Sequence, residues 1–283
     1  MPLVARPGPA VDRCDAEVRW RNSRRRGAAL QCVRMTGVLG LPVDIHALLF
    51  DLDGVLTQTA KVHAAAWKQS FDEFLRQRAQ ESGTQFVPFD EVADYDQYVD
   101  GKPREDGVRS FLHSRGIELP EGSADDPPDA QTIRGLGNNK NERVVKLIHE
   151  QGVDVYAGSA RYVRAAKEAG LPRAVVSSST NTHDVLASAG IAGLFDAVID
   201  GVVAHREHLH GKPAPDTFLA GAKALGVQPA HAAVFEDALA GVEAGRAGRF
   251  GYVVGVDRVG QHDALKAHGA DIVVDDLADL LDK

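Results

Sequence analysis

Cysteine is nearly missing. Cys14 and Cys32 are the two present in 283 residues, and both precede the first chemically suggestive stretch. No disulfide framework, zinc cluster or cysteine nucleophile follows from them. Long apolar runs are missing too: none approaches the ~20 residues a membrane-spanning helix needs, so no membrane partner is expected. Positive charge is not in excess. Thirty-two Lys and Arg stand against 40 Asp and Glu, a net charge of -8, which argues against nucleic acid as a partner of the whole chain. What remains, with 44% hydrophobic and 25% charged residues, is the profile of a soluble globular protein with one large domain or two modest ones.

Residues 1–34 differ from the rest. Arg19, Arg21, Arg24, Arg25, Arg26 and Arg34 crowd there behind Pro2, Pro7 and Pro9. No helical or strand period is sustained. An export signal needs an unbroken apolar core, and Arg34 ends the weak candidate from Gly27 to Val33. The expectation is a disordered extension, with an Arg-rich nucleic-acid tail as the other reading. The ordered pattern begins just after Met35, which makes that residue an alternative start. A cytoplasmic location is expected.

The chain is organised around Leu48-Leu49-Phe50-Asp51-Leu52-Asp53-Gly54. An apolar run ends in two carboxylates two residues apart, the pattern of a buried parallel strand spilling into a loop. Sites in open α/β sheets form outside the carboxyl ends of strands, so Asp51 and Asp53 sit where chemistry is expected. Two neighbouring carboxylates repel unless a cation or a proton intervenes, and a hard divalent cation, Mg²⁺, suits them. One carboxylate can then attack phosphorus while the other handles protons. A calcium loop is a competing reading, but Val55 and Leu56 stand where further oxygen ligands would be needed.

Downstream, Thr59–Gln80 has helical period, and Thr59, His63 and Trp67 share one face at spacing four. Trp67 reads equally as core or as site lining. Phe89–Val99, Arg104–Arg115 and Asn138–Gln151 look helical, with an irregular connection at Gly116–Gly137. This helical block after the first strand, residues 58–156, is expected to form a separate cap. Its segment Asp100-Gly101-Lys102-Pro103-Arg104 can offer N–H groups and an Arg fork to a phosphate. From Ser159 strands and helices alternate, so a doubly wound parallel sheet is expected from 44–57 and 157–283, interrupted once by the cap. Ser177–Asn181 supplies hydroxyls and N–H groups at a helix start. Lys212 lies in a Pro-bounded loop, suited to offset the charge of an aspartyl phosphate. Glu236-Asp237 adds two carboxylates for a metal. Each cluster is weak singly; together they outline one phosphoryl-transfer site.

Over about residues 45–260 the sequence resembles the haloacid dehalogenase superfamily, and within it the β-phosphoglucomutase branch. Four motifs carry the superfamily likeness: Asp51-Leu52-Asp53-Gly54, Ser177, Lys212-Pro213 and Glu236-Asp237. The branch likeness rests on Thr59, His63, Trp67-Lys68, Gly101, Arg104, Ser177–Asn181 and Lys212–Asp216. The resemblance implies an α/β HAD-like, Rossmann-like core with an inserted helical cap. It implies Asp51 as nucleophile and Asp53 as general acid and base. It places Mg²⁺, one per site, on Asp51, the Asp53 backbone carbonyl, Glu236 and Asp237. Ser177 and Lys212 would hold the transferring phosphoryl group and Arg104 the distal phosphate. Thr59, His63, Trp67, Gly101, Lys140, Ser179 and Asn181 would contact substrate or position Asp53. The implied reaction interconverts β-D-glucose 1-phosphate and glucose 6-phosphate in a monomeric isomerase, through an aspartyl phosphate and with β-glucose 1,6-bisphosphate as intermediate and activator. The alternative is a sugar-phosphate phosphatase. The sequence departs from the branch where a Lys often precedes the cap Gly, since Asp100 stands there with Lys102 two residues on, and where Thr180 replaces another Lys.

Overall fold

The computed structural model describes residues 38–282, so the Arg-rich stretch 1–34, Met35 and both cysteines lie outside the described residues. Among them six strands form one parallel sheet: β1 (Ala47–Phe50), β2 (Arg173–Val176), β3 (Ala197–Ile199), β4 (Ala232–Glu236), β5 (Tyr252–Val256) and β6 (Ile272–Val274). Their order is β3-β2-β1-β4-β5-β6. The winding reverses between β1 and β4, and the crevice at such a reversal is the usual ligand position in an open sheet.

Strand alternation explains why these runs are apolar throughout. Leu48 and Phe50 of β1, Val175 of β2, and Ala233 and Phe235 of β4 enter one core with Tyr162 and Val163. Their neighbours Ala47, Leu49, Ala174, Val176, Ala232 and Val234 enter a second core on the opposite face with Phe218 and Val242. A side chain on either face of the sheet is thus covered, and a polar residue has no free side to occupy until the strand ends. The helices that cover the sheet are α4 (Ala157–Glu168), α5 (Thr182–Ser188), α6 (Gly201–Arg206), α7 (Asp216–Ala224), α8 (Leu239–Ala247) and α9 (His262–His268), in an order that alternates with the strands.

Between β1 and β2 lie α1 (Ala60–Ser82), α2 (Arg104–Ser114) and α3 (Ile133–Gln151). They close on a third core made of Trp67, Phe71, Phe74, Phe89, Tyr95, Val108, Phe111 and Leu136, among others. The rings of Trp67 and Phe71 stack at 4.9 Å, and those of Phe71 and Phe111 lie 4.2 Å apart.

Local departures from expectation have local causes. Of the stretch Phe89–Val99 expected to be helical, Tyr95–Val99 closes into a single π turn, and Phe89 is outside any helix. The Phe89 N–H donates to Asp72 Oδ1 at 2.8 Å and its ring is buried against Phe71 and Phe111. A side-chain acceptor has replaced the helical carbonyl. The connection expected to run to Gly137 ends five residues sooner, because Thr132 Oγ1 accepts the Gly135 N–H at 2.9 Å and caps α3 there. Three helices, α5, α6 and α9, have no readable period, since six or seven residues span fewer than two turns; only α5 is expected, from the polar loop at its start. Among the described residues no helix is long and apolar enough to cross a membrane.

Candidate active site

The carboxyl ends of β1 and β4 bring three acids together. Asp51 directly follows β1, Glu236 ends β4 and Asp237 follows it; one carboxylate oxygen from each lies within 4.8 Å of the others, and all three are buried. Gly54 makes the close approach possible. Its φ is +85°, and a Cβ there would sit 1.7 Å from Asp237 Oδ2. Lys212 enters from the loop ahead of α7, itself 2% exposed, with Nζ 2.5 Å from Asp51 Oδ1, 2.6 Å from Glu236 Oε1 and 3.2 Å from the Val176 carbonyl.

Burial raises the carboxyl groups. Asp51 is pushed up to about 6 by desolvation, with Lys212 opposing and Asp53 adding to the rise. Glu236 is pushed up to about 7 by desolvation, again against Lys212, with Asp51 adding. Asp237 stands well above its ordinary value through burial and the nearby charges of Asp100, Glu236 and Asp51. For Lys212, burial works against the ammonium, but Asp51 and Glu236 outweigh it and hold the proton firmly. One ammonium among three carboxylates leaves negative charge uncompensated. An all-oxygen, all-carboxylate set at this spacing suits a hard divalent cation, so these residues fit a metal ion. The Asp53 carboxylate is not in this group.

Asp53 turns toward the helical insert. It accepts a hydrogen bond from Thr59 and lies 3.7 Å from His63 Nε2. Burial raises its carboxyl, with Thr59, Lys140 and Lys212 opposing. His63 Nδ1 is 3.0 Å from Lys140 Nζ, whose ammonium also lies 4.9 Å over the Trp67 ring. Burial, followed by the Lys140 charge, holds His63 well below its ordinary value. The neutral ring accepts at Nδ1 from Lys140 and carries its proton on Nε2, a buried atom without a hydrogen-bond partner. Lys140 is itself pushed down to about 7 by burial, with Asp53 opposing. Thr59, His63 and Trp67 therefore do share a face, and Trp67 serves twice, as core and as wall.

The residues expected around the phosphates converge on one cavity of about 970 Å³, lined by Asp51, Asp53, His63, Trp67, Arg104 and Lys212 among others. Ser177, 1% exposed, and Ser179 belong to its wall, but their hydroxyl oxygens accept the N–H groups of Ser179 and Asn181 at 3.1 Å each. Those two N–H groups are engaged within their own loop. Asn181 Nδ2 donates to Asn141 Oδ1 at 3.0 Å, and Ser178 Oγ donates to the Gly101 carbonyl at 2.8 Å. Both bonds run between the sheet's loops and the helical insert. Gly101 has φ +69°, and a Cβ there would lie 2.9 Å from the Ala238 Cβ. Arg104 lines the cavity with Nε and Nη2 3.3 and 3.2 Å from Glu105 Oε1. Lys102 Nζ is held by the Gln97 carbonyl and Ser110 Oγ, at 3.2 and 3.1 Å. Asp100 lines the cavity and is pushed up to about 8 by burial and by Glu236. Ser178 lies within the expected Ser177–Asn181 loop, but Asn141 and Tyr95, which carry no motif, are brought to the cavity only by their place in the folded chain.

The model of the haloacid dehalogenase-like hydrolase family matches residues 45–249. The chain belongs to that family. Within it, the chain is 58% identical over 247 residues to a β-phosphoglucomutase of Mycobacterium bovis, covering 86% of this chain and 94% of that protein. A β-phosphoglucomutase of Bacillus subtilis is 31% identical over 236 residues, 83% of this chain and 92% of its own. Among solved structures, a β-phosphoglucomutase from Clostridium difficile superposes with a TM-score of 0.65 at 28% identity, covering 83% of this chain and 93% of that one. The family's β-phosphoglucomutase branch is therefore the one this haloacid dehalogenase-like chain falls in, and its parallel sheet with Asp51 at the end of the first strand is the HAD-like fold.

Proposed function

We propose that the protein is a β-phosphoglucomutase that interconverts β-D-glucose 1-phosphate and glucose 6-phosphate through a phosphorylated Asp51. The observation that carries this reading is the 58% identity to a protein of that name, sustained along 94% of its length. Asp51 is the nucleophile: it directly follows the central strand β1 and lines the cavity, with Lys212 at 2.5 Å. As its oxygen bonds to phosphorus, the bond to the sugar oxygen breaks, and that oxygen takes a proton from Asp53. In the return transfer the accepting hydroxyl gives its proton to Asp53. Asp51, Glu236 and Asp237, with the Asp53 carbonyl, would hold Mg²⁺, which when bound stabilises the negative charge of the transferring phosphoryl group. Lys212 offsets charge beside Asp51, and Ser177 stands at the same strand ends.

Residues 58–156 act as a cap over this centre. They have a hydrophobic core of their own and meet the sheet's loops through Ser178–Gly101 and Asn181–Asn141. A closed cap keeps water from Asp51 and favours transfer to a sugar hydroxyl over hydrolysis. Arg104 holds the phosphate that is not reacting, and β-glucose 1,6-bisphosphate primes the cycle. Thr59, His63 and Lys140 position Asp53; Trp67, Gly101, Ser179 and Asn181 line the sugar's space. All these groups come from one chain, so a monomer suffices, and a phosphorylated sugar as substrate supports a cytoplasmic location.

The test is to supply β-glucose 1-phosphate with trace β-glucose 1,6-bisphosphate and follow glucose 6-phosphate and free phosphate together. Glucose 6-phosphate should appear much faster, and the α anomer should react poorly. Asp51→Asn should fold and lose turnover by at least about a thousandfold. Phosphate release equal to or faster than glucose 6-phosphate formation would replace the mutase by a sugar-phosphate phosphatase.

A further inference from the structure

The chain crosses between the sheet and the helical insert twice, and the crossings run side by side. Thr57 and Val155 form an antiparallel bridge; the Gln58 N–H donates to the Asp154 carbonyl at 2.8 Å and the Tyr156 N–H to the Leu56 carbonyl at 3.0 Å. One residue from neither crossing touches both. Arg258 follows β5, beyond the residues matched by the family model, and its side chain is 14% exposed. Its Nε donates to the Gly54 carbonyl at 2.8 Å and its Nη1 to the Asp275 carbonyl at 2.7 Å. Its guanidinium lies 3.6 Å from the centre of the Tyr156 ring, and Asp276 Oδ2 is 3.9 Å away. Ser159 Oγ braces the same place by donating to the Val55 carbonyl at 2.7 Å.

On the reading of Asp53 as the acid–base given above, we infer that Arg258 is a positioning residue for phosphoryl transfer: it fixes the Gly54–Val55 peptide, the second after Asp53, and ties it to the returning crossing at Tyr156. The physical reason is geometric. Gly54 is the left-handed residue at which the chain turns after Asp53, and its carbonyl would otherwise be free to swing. A planar fork can grip the Gly54 carbonyl at one nitrogen, the Asp275 carbonyl at another, and stack its flat face on an aromatic ring at once; a lysine cannot. Movement of the returning crossing, which any opening of the cap requires, is thereby transmitted to the backbone that carries the Asp53 carboxyl. The nucleophile is held separately, by Lys212 and by its place at the end of β1, so the two halves of the chemistry are separable.

Acetyl phosphate separates them. It can phosphorylate Asp51 while releasing acetate, a leaving group that needs no proton from Asp53. The Mg²⁺-loaded wild type, Arg258→Lys and Tyr156→Leu are compared in two assays: Asp51 phosphorylation by acetyl phosphate, and steady-state turnover of β-glucose 1-phosphate. For Arg258→Lys we expect sugar turnover to fall about a hundredfold in kcat, the cost of an acid–base displaced by an ångström. KM should change little and the acetyl phosphate reaction should slow far less. Tyr156→Leu should shift the same ratio in the same direction by a smaller factor. Equal losses in both assays, a loss in KM alone, or no loss would each overturn the inference, the first by showing a purely structural clamp. A wild type inactive as a mutase would count against the proposed function instead, and the variant-to-wild-type ratio is then read on the sugar phosphate it hydrolyses.

Discussion

At the scale of single residues, the site is a set of buried ionisable groups whose protonation is decided by neighbours. His63 is kept neutral by burial and by Lys140 at 3.0 Å, and Lys140 is pushed down to about 7. Below that value the ammonium donates to His63 Nδ1 and leaves the Nε2 proton facing Asp53. As pH rises through about 7 the lysine loses its charge, the donation weakens, and the favoured tautomer of His63 is no longer enforced. Turnover should therefore fall on the alkaline side with an apparent midpoint near that value. Lys140→Met should lower kcat and flatten this limb, read from kcat between pH 6 and 9. A wild-type profile flat across that range would remove Lys140 from the relay.

At the scale of elements, the loop from Asp100 to Arg104 decides what the cavity accepts. It is pinned by the Ser178–Gly101 hydrogen bond, and Ala238 leaves no room for a side chain at Gly101. Its Arg104 pairs with Glu105, a partner from the same helix turn that a dianionic phosphate outcompetes in charge. Arg104→Ala should reduce turnover of the sugar phosphate about a hundredfold, while acetyl phosphate, which has no distal phosphate, loses much less. Parallel kinetics on the two donors check this, and equal losses would make Arg104 a structural residue. In place of the lysine often found before the cap glycine, Asp100 faces Glu236 and Asp237 with a raised carboxyl. Lys102 does not take over that lysine's position, because Gln97 and Ser110 hold its ammonium.

At the scale of the whole molecule, the acidic centre sets how stability depends on pH and metal. Asp51 rises from 3.8 to about 6 and Glu236 from 4.5 to about 7. A folded state that binds protons more tightly than the unfolded chain is favoured at low pH and loses that advantage as pH climbs through the folded values. The metal-free protein should thus lose stability between about pH 4 and 7. A divalent cation bound by the ionised carboxylates reverses the effect. Mg²⁺ should raise the melting temperature by several degrees at pH 8 and much less at pH 5, measured against EDTA. An increment independent of pH would mean that these carboxylates do not hold the ion.

The amino-acid sequence alone determined the parallel sheet, its polar strand ends and the acids that gather there. A strand buried on both faces must be apolar until it ends, so the carboxylates of Asp51 and Glu236-Asp237 are visible as interruptions of Leu48–Phe50 and Ala232–Phe235. The face of Thr59, His63 and Trp67 was legible for the same kind of reason, a fixed helical period. Tertiary structure decided whatever depends on contacts between distant segments. Phe89 left the expected helix because Asp72 and two aromatic rings captured it; Thr132 moved the start of α3 because its hydroxyl found Gly135. Asn141 and Arg258 have no local pattern, and the partner of Ser178 was hidden though its loop was visible, since each acts by meeting a backbone or side chain 40 or more residues away. Periodicity records which face a residue shares with its near neighbours, while a hydrogen bond across two crossings exists only after the chain has closed on itself.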